Sequence, residues 1–263
     1  MEVPPMKEVI LERMGPIAHL ILNNPATRNA LSLPVIQSIM SHLDEVARDP
    51  GVRVLIVRGE GPAFCAGHNL KEMTAPEADL HAHRRLFSTC SKMMLRLHRL
   101  PQVVIAQVHG IATAAGCQLV AACDLAVAET GAKFATPGVK IGLFCSTPMV
   151  PLVRVIGRRR ALEMLVTGRF VSAQEALDWG LVNRVVPLER LSEETMELAE
   201  SIASFSRFTL AFGKEAFYSQ VDLDERAAYD FAKEAIVMNC LADDAQEGMR
   251  AFVEKRAPIW KHR

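Results

Sequence analysis

Short apolar runs alternate with helix-period stretches along most of this chain. Val9 to Arg13 and Ile17 to Leu22 read as two strands, and Gly15-Pro16 between them predicts a hairpin. Asn23-Asn-Pro-Ala-Thr-Arg-Asn29 is rich in turn formers. From Leu33 to Arg48 the apolar positions Val35, Ile36, Ile39, Met40, Leu43, Val46 and Ala47 recur at helical spacing. Val52 to Val57 and Val103 to Val108 read as buried strands, with a helix over Arg84 to Leu100 that stops before Pro101. A helix over Ala114 to Ala122 and a strand over Leu125 to Ala128 follow. Later helices are predicted over Pro148 to Ile156, Arg160 to Thr167, Ala173 to Trp179 and Leu191 to Phe205. Ser206 to Gln220, Asp224 to Leu241 and Asp244 to Glu254 complete the set. Strands thus fill the first two thirds and long helices the last third. The pattern is α/β with largely parallel pairing, and by itself it suggests a doubly wound sheet.

Composition narrows the function classes. The chain has 263 residues, half of them hydrophobic, which is enough for one large core or two small domains. Lys plus Arg equals Asp plus Glu at 30 each, so the formal net charge is zero and there is no basic footprint for nucleic acid. No apolar run approaches the roughly 18 residues of a membrane span. Met1 to Glu8 reads as neither a signal peptide nor an Arg-rich transit peptide, so the expectation is a cytoplasmic protein. The six cysteines, Cys65, Cys90, Cys117, Cys123, Cys145 and Cys240, form no close pair and sit mostly among apolar neighbours. They read as reduced structural thiols, with no zinc spacing and no disulfide framework.

Two segments carry the chemistry. Gly110-Ile-Ala-Thr-Ala-Ala-Gly-Cys-Gln-Leu-Val-Ala-Ala-Cys-Asp124 opens a helix with small residues. Ala63-Phe-Cys-Ala-Gly-His-Asn-Leu-Lys71 is a second loop of the same kind. Small residues allow close backbone approach, and a helix start leaves free N–H groups beside a favourable dipole. Two such donors suit an oxyanion. In this order and spacing the segments resemble the enoyl-CoA hydratase/isomerase (crotonase) superfamily, from about Val9 to Trp260. The resemblance replaces the doubly wound guess with a crotonase (ClpP-like) spiral of ββα turns. It implies a core over residues 1–200 with an acyl-CoA site, then a helical C-terminal trimerisation segment over 201–263.

The resemblance also assigns roles. The oxyanion donors are the backbone N–H groups of His68 and Ala115. Arg28, Ala30, Ala66, His68, Asn69, Leu70 and Lys71 match positions that contact coenzyme A or the acyl thioester. Phe252 and Lys255, three apart on one predicted helix, match residues that reach the coenzyme A of a neighbouring subunit. The implied partner is an acyl-CoA thioester, the implied assembly a homotrimer or hexamer, and no cofactor is needed beyond coenzyme A as part of the substrate.

The chain departs from the family where acid/base chemistry is done. Gln118 stands at the first catalytic glutamate and Gly138, in Phe134-Ala-Thr-Pro-Gly-Val-Lys-Ile-Gly142, at the second. An amide does not accept a proton near neutral pH. These two replacements resemble the domain-containing-protein-3 branch of the family. The remaining candidates for proton transfer are the His68 imidazole, Cys145 and Glu72. Two readings stay open: an acyl-CoA lyase or isomerase with weak or absent hydratase activity, and a non-catalytic acyl-CoA-binding or regulatory protein. Arg158-Arg-Arg160 has no motif around it and reads as a solvated helix start.

Overall fold

A computed structural model describes residues 7–263. The expectation about a leader peptide rests mainly on residues 1–6, which lie outside that range. The elements run in chain order as β1 (Val9–Met14), β2 (Ile17–Leu22), α1 (Leu33–Arg48), β3 (Val54–Gly59), α2 (Leu70–Met73), α3 (Leu80–His98), β4 (Val103–Val108) and β5 (Ile111–Thr113). Then come α4 (Ala115–Ala122), β6 (Leu125–Glu129), β7 (Lys133–Ala135), α5 (Met149–Ile156), α6 (Arg158–Thr167), β8 (Val171–Ser172), α7 (Ala173–Trp179) and β9 (Arg184–Val186). Four helices end the chain: α8 (Leu191–Ala203), α9 (Arg207–Gln220), α10 (Glu225–Cys240) and α11 (Asp243–Val253).

The strands form a six-stranded sheet in the order β1-β2-β3-β4-β6-β9 and a three-stranded sheet in the order β5-β7-β8. In the larger sheet only the β1–β2 hairpin is antiparallel. This is the mixed α/β crotonase architecture, in which the later turns of chain add strands to both sheets while the earlier ones reach the smaller sheet's side only through the isolated bridges Leu31–His68 and Cys65–Ala112. It is not the doubly wound arrangement that periodicity alone suggests.

Both faces of the large sheet are covered, which is why its strands read as continuous apolar runs. Leu20, Leu55, Val104 and Ala106 face α1, α3 and α4, where Ile36, Leu43, Cys90 and Leu119 complete one core. Ile17, Val54, Ile56, Ile105 and Val127 face α8, packing on Leu191, Ala199 and Ala203.

The C-terminal helices behave differently. Helix α9 buries only Lys214, and α10 buries nothing. The Lys214 ammonium donates to Leu97 O and Gln102 O (both 2.8 Å) and to Asp124 Oδ2 (2.6 Å). Tyr218 Oη donates to the other oxygen of Asp124 at 2.7 Å, and Val104 N–H donates to Oδ2. Burial lowers the Lys214 pKa, against the attraction of Asp124. One buried ion pair thus pins α9 to the start of β4 and the start of β6. None of the described helices is long and apolar enough to cross a membrane.

Candidate functional site

Three segments meet at the site. Ala66 N–H donates to Arg28 O (2.9 Å), Leu31 N–H to Gly67 O (2.7 Å) and Asn69 N–H to Leu31 O (3.1 Å). On the other side Cys65 N–H donates to Ile111 O (3.1 Å) and Thr113 N–H to Cys65 O (3.0 Å). The 65–69 loop is therefore held between the 28–31 loop and β5. Asn29, in the left-handed region at φ 57°, locks the first loop. Its buried amide donates to Glu60 O (2.9 Å) and Ala63 O (2.8 Å), while its oxygen accepts from Asn24 N–H (2.8 Å). Sequence reasoning passed over Asn29. Its signal was an Asn tolerant of positive φ within a turn-rich stretch.

The two expected donors are free. Neither His68 N–H nor Ala115 N–H donates to any described residue. Gly67, at φ 93°, brings them together: a Cβ there would lie 3.2 Å from Ala115 N and 2.8 Å from Thr113 O. Gly116 allows the same approach one residue later, since a methyl there would collide with Cys65 O. Ala114 enters α4 at φ 50°, ψ −118°, a conformation that suits glycine. The Ala114 methyl group adds strain in that conformation. Two free amides at one point can take an anionic or polarised oxygen.

Gln118 lies one turn along α4 from Ala115, so the two share a face. It is 3% exposed, its Oε1 is sealed without a partner, and its Nε2 makes no hydrogen bond to a described residue. Either orientation of the amide leaves both ends unpartnered. Such a group is costly in a core and calls for a ligand or water. Gly138 is buried at the start of a short 3₁₀ turn, Pro137–Ile141. Its backbone is ordinary, but its side-chain space is filled: a Cβ would lie 2.7 Å from Leu143 O and 2.9 Å from Cys145 Sγ.

The other candidates sort out as follows. The His68 ring donates from Nδ1 to Leu31 O at 3.3 Å and meets Phe87 edge-on at 5.1 Å. Burial lowers its pKa, so the ring is neutral, with Nε2 sealed and unpartnered. Cys145 is half-buried, and burial raises its pKa although Gly138 N–H offsets part of the effect. It is a protonated thiol at neutral pH. Glu72 does not turn inward: both its oxygens lie 3.1 Å from Leu33 N–H and cap the start of α1. Asn69 Oδ1 caps α2 through Lys71 N–H at 3.0 Å. Leu70, Lys71 and Arg28 are exposed and Ala30 and Ala66 half-buried.

Phe252 and Lys255 do not share a helix face, contrary to the spacing argument. Helix α11 ends at Val253, and Lys255 follows its cap at φ 55°. Lys255 N–H bonds Phe252 O and Arg256 N–H bonds Ala251 O, which closes the helix in a Schellman turn. Phe252 is 84% exposed. All six cysteines are free thiols: four are buried, Cys145 is half-buried and Cys240 is exposed.

A spiral α/β core carrying paired free amides between two small-residue loops defines a crotonase-class protein. The chain belongs to the enoyl-CoA hydratase/isomerase family, whose model matches residues 12–263. It is 50% identical over 247 residues to mouse "Enoyl-CoA hydratase domain-containing protein 3, mitochondrial", covering 94% of this chain and 82% of that one. Among solved structures it is similar to human enoyl coenzyme A hydratase domain-containing protein 3, with a TM-score of 0.94, 47% identity and coverage of 97% and 100%. It is also similar to an enoyl-CoA hydratase of Mycobacterium smegmatis, with a TM-score of 0.95, 46% identity and coverage of 97% and 99%. The branch suggested by Gln118 and Gly138 is thus among its relatives. The expected cytoplasmic location is overturned: the mouse relative and its Xenopus laevis and human counterparts are named mitochondrial. A folded core's composition says nothing of compartment, which is addressed by leader sequences outside it.

Proposed function

We propose that this protein binds acyl-CoA thioesters, with the thioester oxygen between the N–H groups of His68 and Ala115. The observation that carries this is the pair of unpartnered amides brought together at Gly67. Coenzyme A runs along the loops containing Arg28, Ala30, Ala66, Asn69, Leu70 and Lys71. The unpaired charges of Arg28 and Lys71 meet its phosphates. Phe252 and Lys255 serve a neighbouring subunit in a homotrimer or a dimer of trimers. The exposure of Phe252, and a helix α10 with no buried residue, support that assembly.

Enoyl-CoA hydration needs an activated water and a proton for the α-carbon, and Gln118 and Gly138 supply neither. Hydratase activity is therefore weak or absent. A purely binding or regulatory role is the second reading, favoured by the missing acid pair. Calorimetry with acetyl-CoA tests the proposal. Charged phosphate contacts contribute about 1.5–3 kcal/mol each, so reversing Arg28, Lys71 and Lys255 together weakens binding at least ~100-fold. Unchanged affinity in the triple variant would mean the site is misplaced. Light scattering on the same sample reports the assembly, and a monomer at micromolar concentration would remove the shared site.

A further inference from the structure

Helix α4 is strained at one end and anchored at the other. All of its residues are buried, and no side chain caps its N-terminus. The chain enters it through Ala114, at φ 50°, ψ −118°. Such a backbone persists only where the surrounding structure holds it. The next residue, Ala115, carries the free N–H.

The anchor is Asp124, directly after α4 and roughly 13 Å from Ala115 at 1.5 Å per residue. Asp124 N–H donates to Val104 O at 3.0 Å. Its carboxylate accepts from Val104 N–H (2.7 Å) on β4, and from Lys214 Nζ (2.6 Å) and Tyr218 Oη (2.7 Å) on α9. Burial raises the pKa of the phenol, so Tyr218 stays protonated and donates. Its ring stacks on His98 at 4.1 Å and 12°, and His98 stands beside the Ala122 carbonyl at the end of α4. Lys214 has Leu97 O and Gln102 O as further partners, whereas the Tyr218 hydroxyl is committed to Asp124. Loosening this end lets α4 shift to relieve Ala114, and the Ala115 N–H turns with it.

We infer that Tyr218 is a positioning residue for the thioester site: through Asp124 and the buried rod of α4 it holds Ala114 in its strained conformation and so fixes the direction of the Ala115 N–H. The inference rests on the thioester-binding reading above and gives Tyr218 no contact with the ligand. It makes the docking of α9 a condition of the site's geometry. Phe217, 55% exposed on α9, meets Tyr218 edge-on at 5.3 Å, so whatever covers that helix bears on the same ring.

The experiment is a double-variant cycle on the full chain, read by acetyl-CoA calorimetry, with Tyr218→Phe, Ala114→Gly and the two combined. Phenylalanine keeps the ring against His98 and removes only the hydroxyl. Residues this far apart, with no shared partner, normally act independently. The expected result is an affinity loss of about 3- to 30-fold in Tyr218→Phe, the range for residues of a coupled network. That loss shrinks to less than about 2-fold once Ala114→Gly has removed the strain. Equal fold losses in the two backgrounds overturn the inference, as does unchanged affinity in Tyr218→Phe. Ala199→Gly, in α8 on the other face of the sheet from α4, lowers stability without reaching the site. Its affinity stays within about 2-fold of wild type. A loss there matching that of Tyr218→Phe would make the effect one of general stability and overturn the inference too. Wild-type binding with independent effects overturns this inference alone, whereas absence of acetyl-CoA binding in the wild type overturns the binding proposal with it.

Discussion

Ala114 holds a backbone conformation that an L-residue adopts only at a cost, of order 1–3 kcal/mol. That position sets the direction of Ala115 N–H, so the strain sits where the site is built. Ala114→Gly relieves it, offset by glycine's greater unfolded entropy of roughly 0.5–1 kcal/mol. The net expectation is about 1 kcal/mol of added stability, seen as a melting temperature about 2–4 °C higher in a scanning fluorescence assay. A lowered melting temperature would mean that the Ala114 methyl packs better than its geometry implies. Gly138 obeys the opposite constraint. Its backbone accepts any residue, but Leu143 O and Cys145 Sγ fill the space that a side chain needs. The resemblance leads one to expect a carboxylate there; the carbonyl and thiol that fill the space come from a loop five to seven residues on. No spacing rule connects the two.

Among the elements, the long periodic ones were legible and the short ones were not. Helix α1, strand β2 and strand β4 match their predicted bounds, since buried runs and 3.6-residue spacing persist over several turns. Strands β5, β7, β8 and β9 have two or three residues each, too few to show a period of two, and β5 sits directly beside the site. Helix α3 begins at Leu80 rather than Arg84 because Asp79 caps it through Ala82 N–H at 2.7 Å. The Lys214–Asp124 pair was invisible too: 90 residues separate its members, and a lysine at that point of α9 reads as a surface residue. This pair ties the helical segment to the sheet. Asp124→Ala strands a buried ammonium and Lys214→Met strands a buried carboxylate, so each costs about 3–5 kcal/mol, whereas replacing both charges together costs less than the sum of the two. Urea midpoints of the two single variants and the double variant measure this, and strictly additive losses would mean that the pair is not insulated from water.

On the scale of the whole molecule, the fold is that of the enoyl-CoA hydratase/isomerase family, and the proposed function gives this chain an oxygen-binding amide pair without an acid/base pair. The family, the two loops and the sheet beneath them were readable from motif order. The compartment was not, because no feature of a folded core encodes it. Helix α10 and Phe252 offer apolar surface that a single subunit leaves uncovered, which supports the proposed assembly. The central claim is that thioester binding persists here without acid/base hydration chemistry. Its most direct measurement is the loss of enoyl absorbance when the purified wild-type chain meets crotonyl-CoA, compared with a family hydratase that has both glutamates. Each general acid or base contributes typically about 10²–10⁴-fold. The account predicts turnover slower by at least about 10²-fold, with crotonyl-CoA nonetheless bound. Turnover at the reference hydratase's rate would contradict it, and would assign proton transfer to a group such as His68 or Cys145.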